Sequence, residues 1–275
     1  DFMGLYGLYG DLEDNPDGGE LLRHGEWTLK QASLVAPGAK MFEHEFTSGR
    51  TVNLRKKKFN ILNLSYGLVG LDGADLADIQ FSPQTNSILS YAFKGGAFVA
   101  KAAGNDSVAV NEAYKVEEIV GVDTDGNIVT AESWQKDYLN TALIGAPAAV
   151  FVGALDANGT LDNLASLASY SNYAGTDPRI QTQFLVVGVD SSNMVYENVP
   201  GYGIDSALAG TSFASPIISG YAAILSSKFK RASPSEVASQ LLNTAREDTI
   251  LNYDINIHGQ GEASLTRALA PKNIN

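Results

Sequence analysis

Five short apolar runs constrain this chain more than any other feature: Val35 to Phe42, Phe59 to Ser65, Ala97 to Ala103, Ala148 to Leu155 and Phe184 to Val189. Runs of about four to eight residues that are apolar towards both faces suit strands of a parallel sheet with helices packed on each side. Helical stretches are expected between them, for example Glu43 to Lys58 and Asn86 to Lys94. The clearest helix lies late, where Ser233-Pro234-Ser235-Glu236 forms a capping box with proline at the first helical position. Val237, Leu241 and Leu242 then follow at helical spacing. Strands alternating with helices predict an α/β fold with a mostly parallel sheet. No repeat, low-complexity tract or linker divides the sequence, so residues 1–275 are expected to form one domain.

Composition narrows the partners. Lys and Arg number 19 against 31 Asp and Glu, a net charge of -12, which argues against a nucleic-acid surface. The basic run Arg55-Lys56-Lys57-Lys58 reads instead as the solvated end of a helix before the strand at Phe59. Cysteine is absent, which removes a thiol nucleophile, disulfides and cysteine zinc clusters. The longest apolar stretch, near Ala146 to Leu155, is far short of the ~18 residues of a membrane span.

Chemistry concentrates in three places. Histidine occurs only at His24, His44 and His258, so any imidazole base is one of these. His24 stands at the start of an apolar-periodic segment (Leu29, Ala32, Leu34), whereas His44 between Glu43 and Glu45, and His258 in a polar segment, read as surface residues. Gly210-Thr211-Ser212-Phe213-Ala214-Ser215-Pro216 runs into an apolar helix. Small residues there put the Ser212 hydroxyl at the positive end of the helix dipole, where a developing oxyanion is stabilised. Ala102-Ala103-Gly104-Asn105-Asp106 follows a buried strand and offers the Asn105 amide as a second oxyanion donor.

Together these segments resemble the subtilisin-like serine proteases. GTSFASP is similar to that family's nucleophile motif, His24-Gly25 with Val35-Ala36-Pro37-Gly38-Ala39 downstream to its histidine motif, and AAGND to its oxyanion-asparagine motif. Asn60 to Gly67 resembles the strand that lines the substrate, and Val152 to Asp156, Ser169 to Asn172 and Gly259 to Glu262 follow the later pattern. The resemblance implies an endopeptidase acting through an acyl-enzyme, with Ser212 as nucleophile, His24 as general base and Asn105 in the oxyanion hole. It implies a polypeptide substrate extended beside Ser65, Tyr66 and Gly67, with Asp106 at the rim of the first specificity pocket, favouring a basic side chain. It also implies export to the cell surface or medium, and maturation from a zymogen by loss of a pro-segment.

The third triad member departs from the pattern. Asp1, Asp11, Asp14 and Asp17 precede His24; Tyr9-Gly10-Asp11-Leu12 resembles the stretch that follows the catalytic Asp in this family, which makes Asp1 the candidate over the other three and leaves the strand that should precede it missing. A separate pro-segment or N-terminal peptide completing the sheet is the expectation. Glu26-Trp27-Thr28 also replaces the usual small residues after His-Gly. The rival expectation is a subtilisin-fold binding or adhesive module with an impaired triad. No cofactor is required. Structural calcium is weighed at the loops Asp123 to Asn127 and Asp156 to Gly159, which read as glycine-bearing turns.

Overall fold

The computed structural model describes residues 24–42, 44, 49–122, 127–189, 195–196, 206–207 and 209–274. In chain order the elements are α1 (His24–Val35), β1 (Ile61–Leu64), β2 (Val69–Leu71), a 3-10 turn at Leu76–Asp78, α2 (Pro83–Lys94), β3 (Phe98–Ala102), β4 (Tyr114–Val122) and β5 (Ile128–Asp137). There follow α3 (Tyr138–Leu143), β6 (Ala149–Leu155), α4 (Pro178–Gln181), β7 (Phe184–Gly188), β8 (Val195–Tyr196), β9 (Ser206–Ala207), α5 (Thr211–Lys228), α6 (Pro234–Asn243), α7 (Ile255–His258) and α8 (Leu265–Leu269).

Four of the five apolar runs form a parallel sheet in the order β1-β3-β6-β7, with Leu62 opposite Val99, Ala100 opposite Val150 and Val152 opposite Leu185. Every residue of β3, β6 and β7 is buried, as runs apolar on both faces require. Strand alternation divides the core. Phe98, Ala100, Val150, Val152 and Leu185 pack with Phe213, Ile217 and Ile218 of α5 and Val237 and Leu241 of α6. Val99, Ala149, Phe151 and Val186 face Ile88 of α2, Leu139 and Leu143 of α3 and Ile180 of α4. Helices therefore cover both faces. The capping box at Ser233 forms as read, with Ser233 Oγ accepting from Glu236 N–H and the Glu236 carboxylate accepting from Ser233 N–H.

Two sequence expectations are corrected. Residues 35–42 are not a strand: α1 runs through Val35, and Pro37 with Gly38 turns the chain, with Ala39 N–H donating to Ala36 O at 3.0 Å. The expected helix over 43–58 is absent in its described part. Val52 N–H donates to Ser87 Oγ at 3.0 Å and Tyr91 Oη to Val52 O at 2.8 Å, so the segment lies as a strap along α2. Arg55 to Lys58 accordingly form an exposed turn, not a helix end. A second sheet, antiparallel in the order β2-β5-β4, was not anticipated. In it Val122 pairs with Ile128, and of the turn expected at Asp123 to Asn127 all but Asn127 lies outside the described residues.

Candidate active site

The serine helix is placed by close packing. Gly220 of α5 meets α1 so tightly that a Cβ there would lie 2.5 Å from Val35 Cγ1, so only glycine lets the two helices approach. Gly210, at φ 133°, turns the chain into α5, and Ser212 is buried in the first turn. Its hydroxyl donates to the Ser65 carbonyl at 3.4 Å. On the facing helix His24 is buried, and its imidazole meets the Phe213 ring edge-on at a centroid distance of 6.0 Å. The imidazole thus stands beside the residue that follows Ser212. Burial lowers the His24 pKa from 6.5 to about 4, because desolvation penalises the imidazolium. The ring is therefore neutral at pH 7 and able to accept a proton. Trp27 joins the apolar core with Phe213 and Ile217.

Asn105 is anchored through its oxygen. Oδ1 accepts from Thr211 N–H at 2.9 Å and from Thr211 Oγ1 at 3.0 Å. That assignment leaves the amide NH2 as the end available to a ligand beside Ser212. The loop carrying it is braced by Asn172, whose Oδ1 accepts from Asp106 N–H at 2.8 Å and Val108 N–H at 3.3 Å, while Nδ2 donates to Ala103 O at 3.1 Å. Gly104, at φ 115°, is needed because a Cβ would collide with Asn172 Nδ2. Asp106 is exposed, and partial desolvation of its carboxyl raises its pKa from the usual value.

Ser65, Tyr66 and Gly67 continue β1, which is the edge of the parallel sheet among the described residues. Neither backbone group of Gly67 is hydrogen-bonded among the described residues, so an extended peptide could pair there. Tyr66 is half-buried, and burial, with Asp137 adding to it, raises its pKa to about 12. Behind this edge lies a pair that sequence reasoning missed. Lys101, 1% exposed inside the apolar run of β3, contacts Asp137 at 3.0 Å. Asp137 Oδ1 in turn accepts from Leu68 N–H at 3.0 Å and from Leu139 N–H at 3.0 Å at the start of α3. A lone lysine in an apolar run was the signal.

Asp1 lies outside the described residues. His44 is exposed and its Nδ1 hydrogen-bonds Gln84 Nε2 at 2.9 Å. His258 corrects its surface reading: it is buried against Tyr253 and bonded to the Asp254 backbone, and burial lowers its pKa. Of the loops weighed for calcium, Asp123 and Asp125 lie outside the described residues, and Asp156 Oδ1 accepts from Ser166 N–H at 2.9 Å. Among the described residues no three His, Asp or Glu gather as metal ligands. No described helix is long and apolar enough to cross a membrane.

Among solved structures the chain is similar to the self-cleaved protease domain of PatA (22% identity, 76% of this chain and 60% of that chain, TM-score 0.45). It is also similar to the prenylagaramide maturation protease PagA (22%, 76% and 61%, TM-score 0.46) and to MycP1 from the ESX-1 type VII secretion system (18%, 77% and 51%, TM-score 0.46). The chain thus spans 60% and 61% of the length of the first two. No curated protein matches it. The subtilase family model matches residues 15–262, a span that contains His24, Asn105 and Ser212 and begins after Asp1, and the chain accordingly belongs to the subtilase family.

Proposed function

We propose that the protein is a serine endopeptidase in which Ser212 is the nucleophile, His24 the general base and Asn105 the oxyanion donor. The observation that carries this reading is the convergence on one helix start: the Ser212 hydroxyl, the Asn105 amide anchored on Thr211, and a buried imidazole packed on Phe213. A peptide carbonyl above Ser212 would be attacked by Oγ as neutral His24 removes its proton, and the imidazolium would then protonate the leaving amine. The oxyanion would be met by Asn105 Nδ2 and the Ser212 N–H, at a helix start whose dipole favours negative charge. Ser65 to Gly67 would hold the substrate as an added strand, with Asp106 at its rim drawing a basic side chain.

Asp1 is proposed as the third triad member. We take residues 1–275 as one peptidase domain whose β1, unpartnered on its outer side among the described residues, accepts a strand from a pro-segment or N-terminal peptide. Action outside the cytoplasm fits the family and a chain without cysteine. The test is stoichiometric labelling by a fluorophosphonate, which modifies only an activated serine. Wild type should label and Ser212→Ala should not, with an unchanged thermal midpoint. Labelling that survives Ser212→Ala ends the assignment.

A further inference from the structure

Pro216 stands inside α5. Proline has no N–H, so the carbonyl four residues earlier loses its helical donor, and that carbonyl belongs to Ser212. The place of the missing donor is taken from across the interface: Ser65 Oγ donates to Ser212 O at 2.8 Å, with both residues buried. Because the one Ser65 hydroxyl proton is used there, Ser65 Oγ can only accept from Asn63 Nδ2, 2.9 Å away. The Asn63 carboxamide is thereby oriented, and its Oδ1 faces α5, accepting from Ser215 Oγ at 2.8 Å and Ser219 Oγ at 3.3 Å. Ser215 Oγ also lies 3.1 Å from Ala100 O on the neighbouring strand. Strand alternation explains the layout, since Asn63 and Ser65 share one face of the β1 segment while Leu62 and Leu64 pack in the opposite core layer.

We propose that Ser65 is a positioning residue for the nucleophile, its hydroxyl standing in for the N–H that Pro216 lacks, with Asn63 holding that hydroxyl in place. This rests on the reading of Ser212 as nucleophile. The carbonyl and the side chain of Ser212 hang from the same Cα, so fixing one aims the other. Without the Ser65 hydroxyl, the Ser212 carbonyl must tilt to find a new donor, and the peptide plane that carries the Phe213 N–H rotates with it. Misplacement of a reacting group by about 1 Å can lower a rate roughly 10²-fold. Substrate pairing along residues 65–67 uses backbone groups and is not touched.

Ser65→Ala should therefore lower kcat and the fluorophosphonate labelling rate about 30-fold, with KM within about twofold, the pattern of a loss confined to the transition state. Pro216→Ala restores a helical donor to the same carbonyl. In that background Ser65→Ala should lose less than about threefold, because the hydroxyl is then redundant. Asn63→Asp keeps the acceptor for Ser215 and Ser219 but cannot donate to Ser65, and should lower kcat about fivefold. Thermal midpoints taken in parallel separate lost aim from lost fold. Equal labelling rates for wild type and Ser65→Ala, or an undiminished effect of Ser65→Ala in the Pro216→Ala background, overturn the positioning role alone. A wild-type protein that neither labels nor cleaves overturns the nucleophile reading itself.

Discussion

Replacing either member of the buried Lys101–Asp137 pair tests how the sheet holds the active-site loops, and the two replacements should be unequal. The pair is 3.0 Å apart with side-chain exposures of 1% and 12%. Lys101 has one other partner, the Ala102 carbonyl at 2.5 Å. Asp137 has three, the N–H groups of Leu68 at 3.0 Å, Leu139 at 3.0 Å and Asn140 at 3.4 Å. Breaking a buried pair costs about 3–5 kcal/mol when it strands an unpaired charge. Asp137→Asn strands the ammonium almost completely, so we expect about 4 kcal/mol from that range. Lys101→Met fills the volume of the lysine stem and leaves a carboxylate that keeps three donors and some contact with water, which places it lower, at about 2 kcal/mol. The double variant should cost well under their sum, with a coupling of about 2 kcal/mol, because neither charge then remains. Urea unfolding of the four proteins at pH 7 measures each term. A Lys101→Met cost equal to or above that of Asp137→Asn, or additivity within about 0.5 kcal/mol, refutes the reasoning.

The proposed site makes two further predictions. Asn105→Ala should lower kcat roughly 10²- to 10³-fold with KM little changed, since the amide acts on charge that develops in the transition state; an effect confined to KM would make Asn105 a substrate contact. For His24 the folded value of about 4 lies below the ordinary 6.5, so the unfolded chain binds this proton more tightly. Stability from the neutral ring is present above pH 6.5 and is lost as pH falls towards 4, by about 3 kcal/mol over the window. Unfolding by urea at several pH values should show this slope in wild type and in His44→Gln, reduced by the His24 share in His24→Gln, where the contribution of buried His258 remains, and the acid limb of kcat/KM should lie below 6.5; a limb at or above 6.5 contradicts the burial argument.

How much of this was legible depended on whether a residue's role is local. The strands β3, β6 and β7 were readable because burial on both faces leaves a compositional trace, the half-buried edge strand β1 because its apolar run persists, and α6 because its cap is written in four consecutive residues. Residues 35–42 misled for the same reason: Val35, Ala36, Ala39, Met41 and Phe42 look like a buried run, yet Pro37 and Gly38 end the helix and Phe42 is 68% exposed under Arg55. The antiparallel ribbon was hidden because Ile119, Val120, Ile128 and Trp134 face solvent, so its strands show no core-facing alternation. At the site, Ser212 and Asn105 announced themselves through flanking small residues. Asn63, Asn172 and Asp137 did not, because the partners that matter lie far along the chain, the Ser215 and Ser219 hydroxyls for Asn63, the 103–108 backbone for Asn172, and Lys101 with Leu68 N–H for Asp137, and no spacing records that.

Helix α5 shows why those silent polar residues sit where apolar ones would pack. Its buried face mixes small side chains, Ala214, Ser215, Gly220 and Ala222, which let α1 and the sheet approach closely, with Phe213, Ile217 and Ile218, which supply apolar contact. Hydrophobic attraction is non-directional, so an apolar contact of this kind leaves the helix a choice of nearby positions. A shift by one turn would move it about 5.4 Å, and even a small slide would change where the Ser212 hydroxyl stands. Hydrogen bonds remove that freedom because they are satisfied at one register alone: Ser215 and Ser219 with Asn63, Ser65 with Ser212, and Thr211 with Asn105. Each of these bonds links α5 to a loop or strand to which the proposed function gives a part, β1 to the substrate and the 103–106 loop to the oxyanion. The helix that carries the proposed nucleophile is thus located by the same groups that would locate its substrate and its transition state, and a change that loosens one loosens the others.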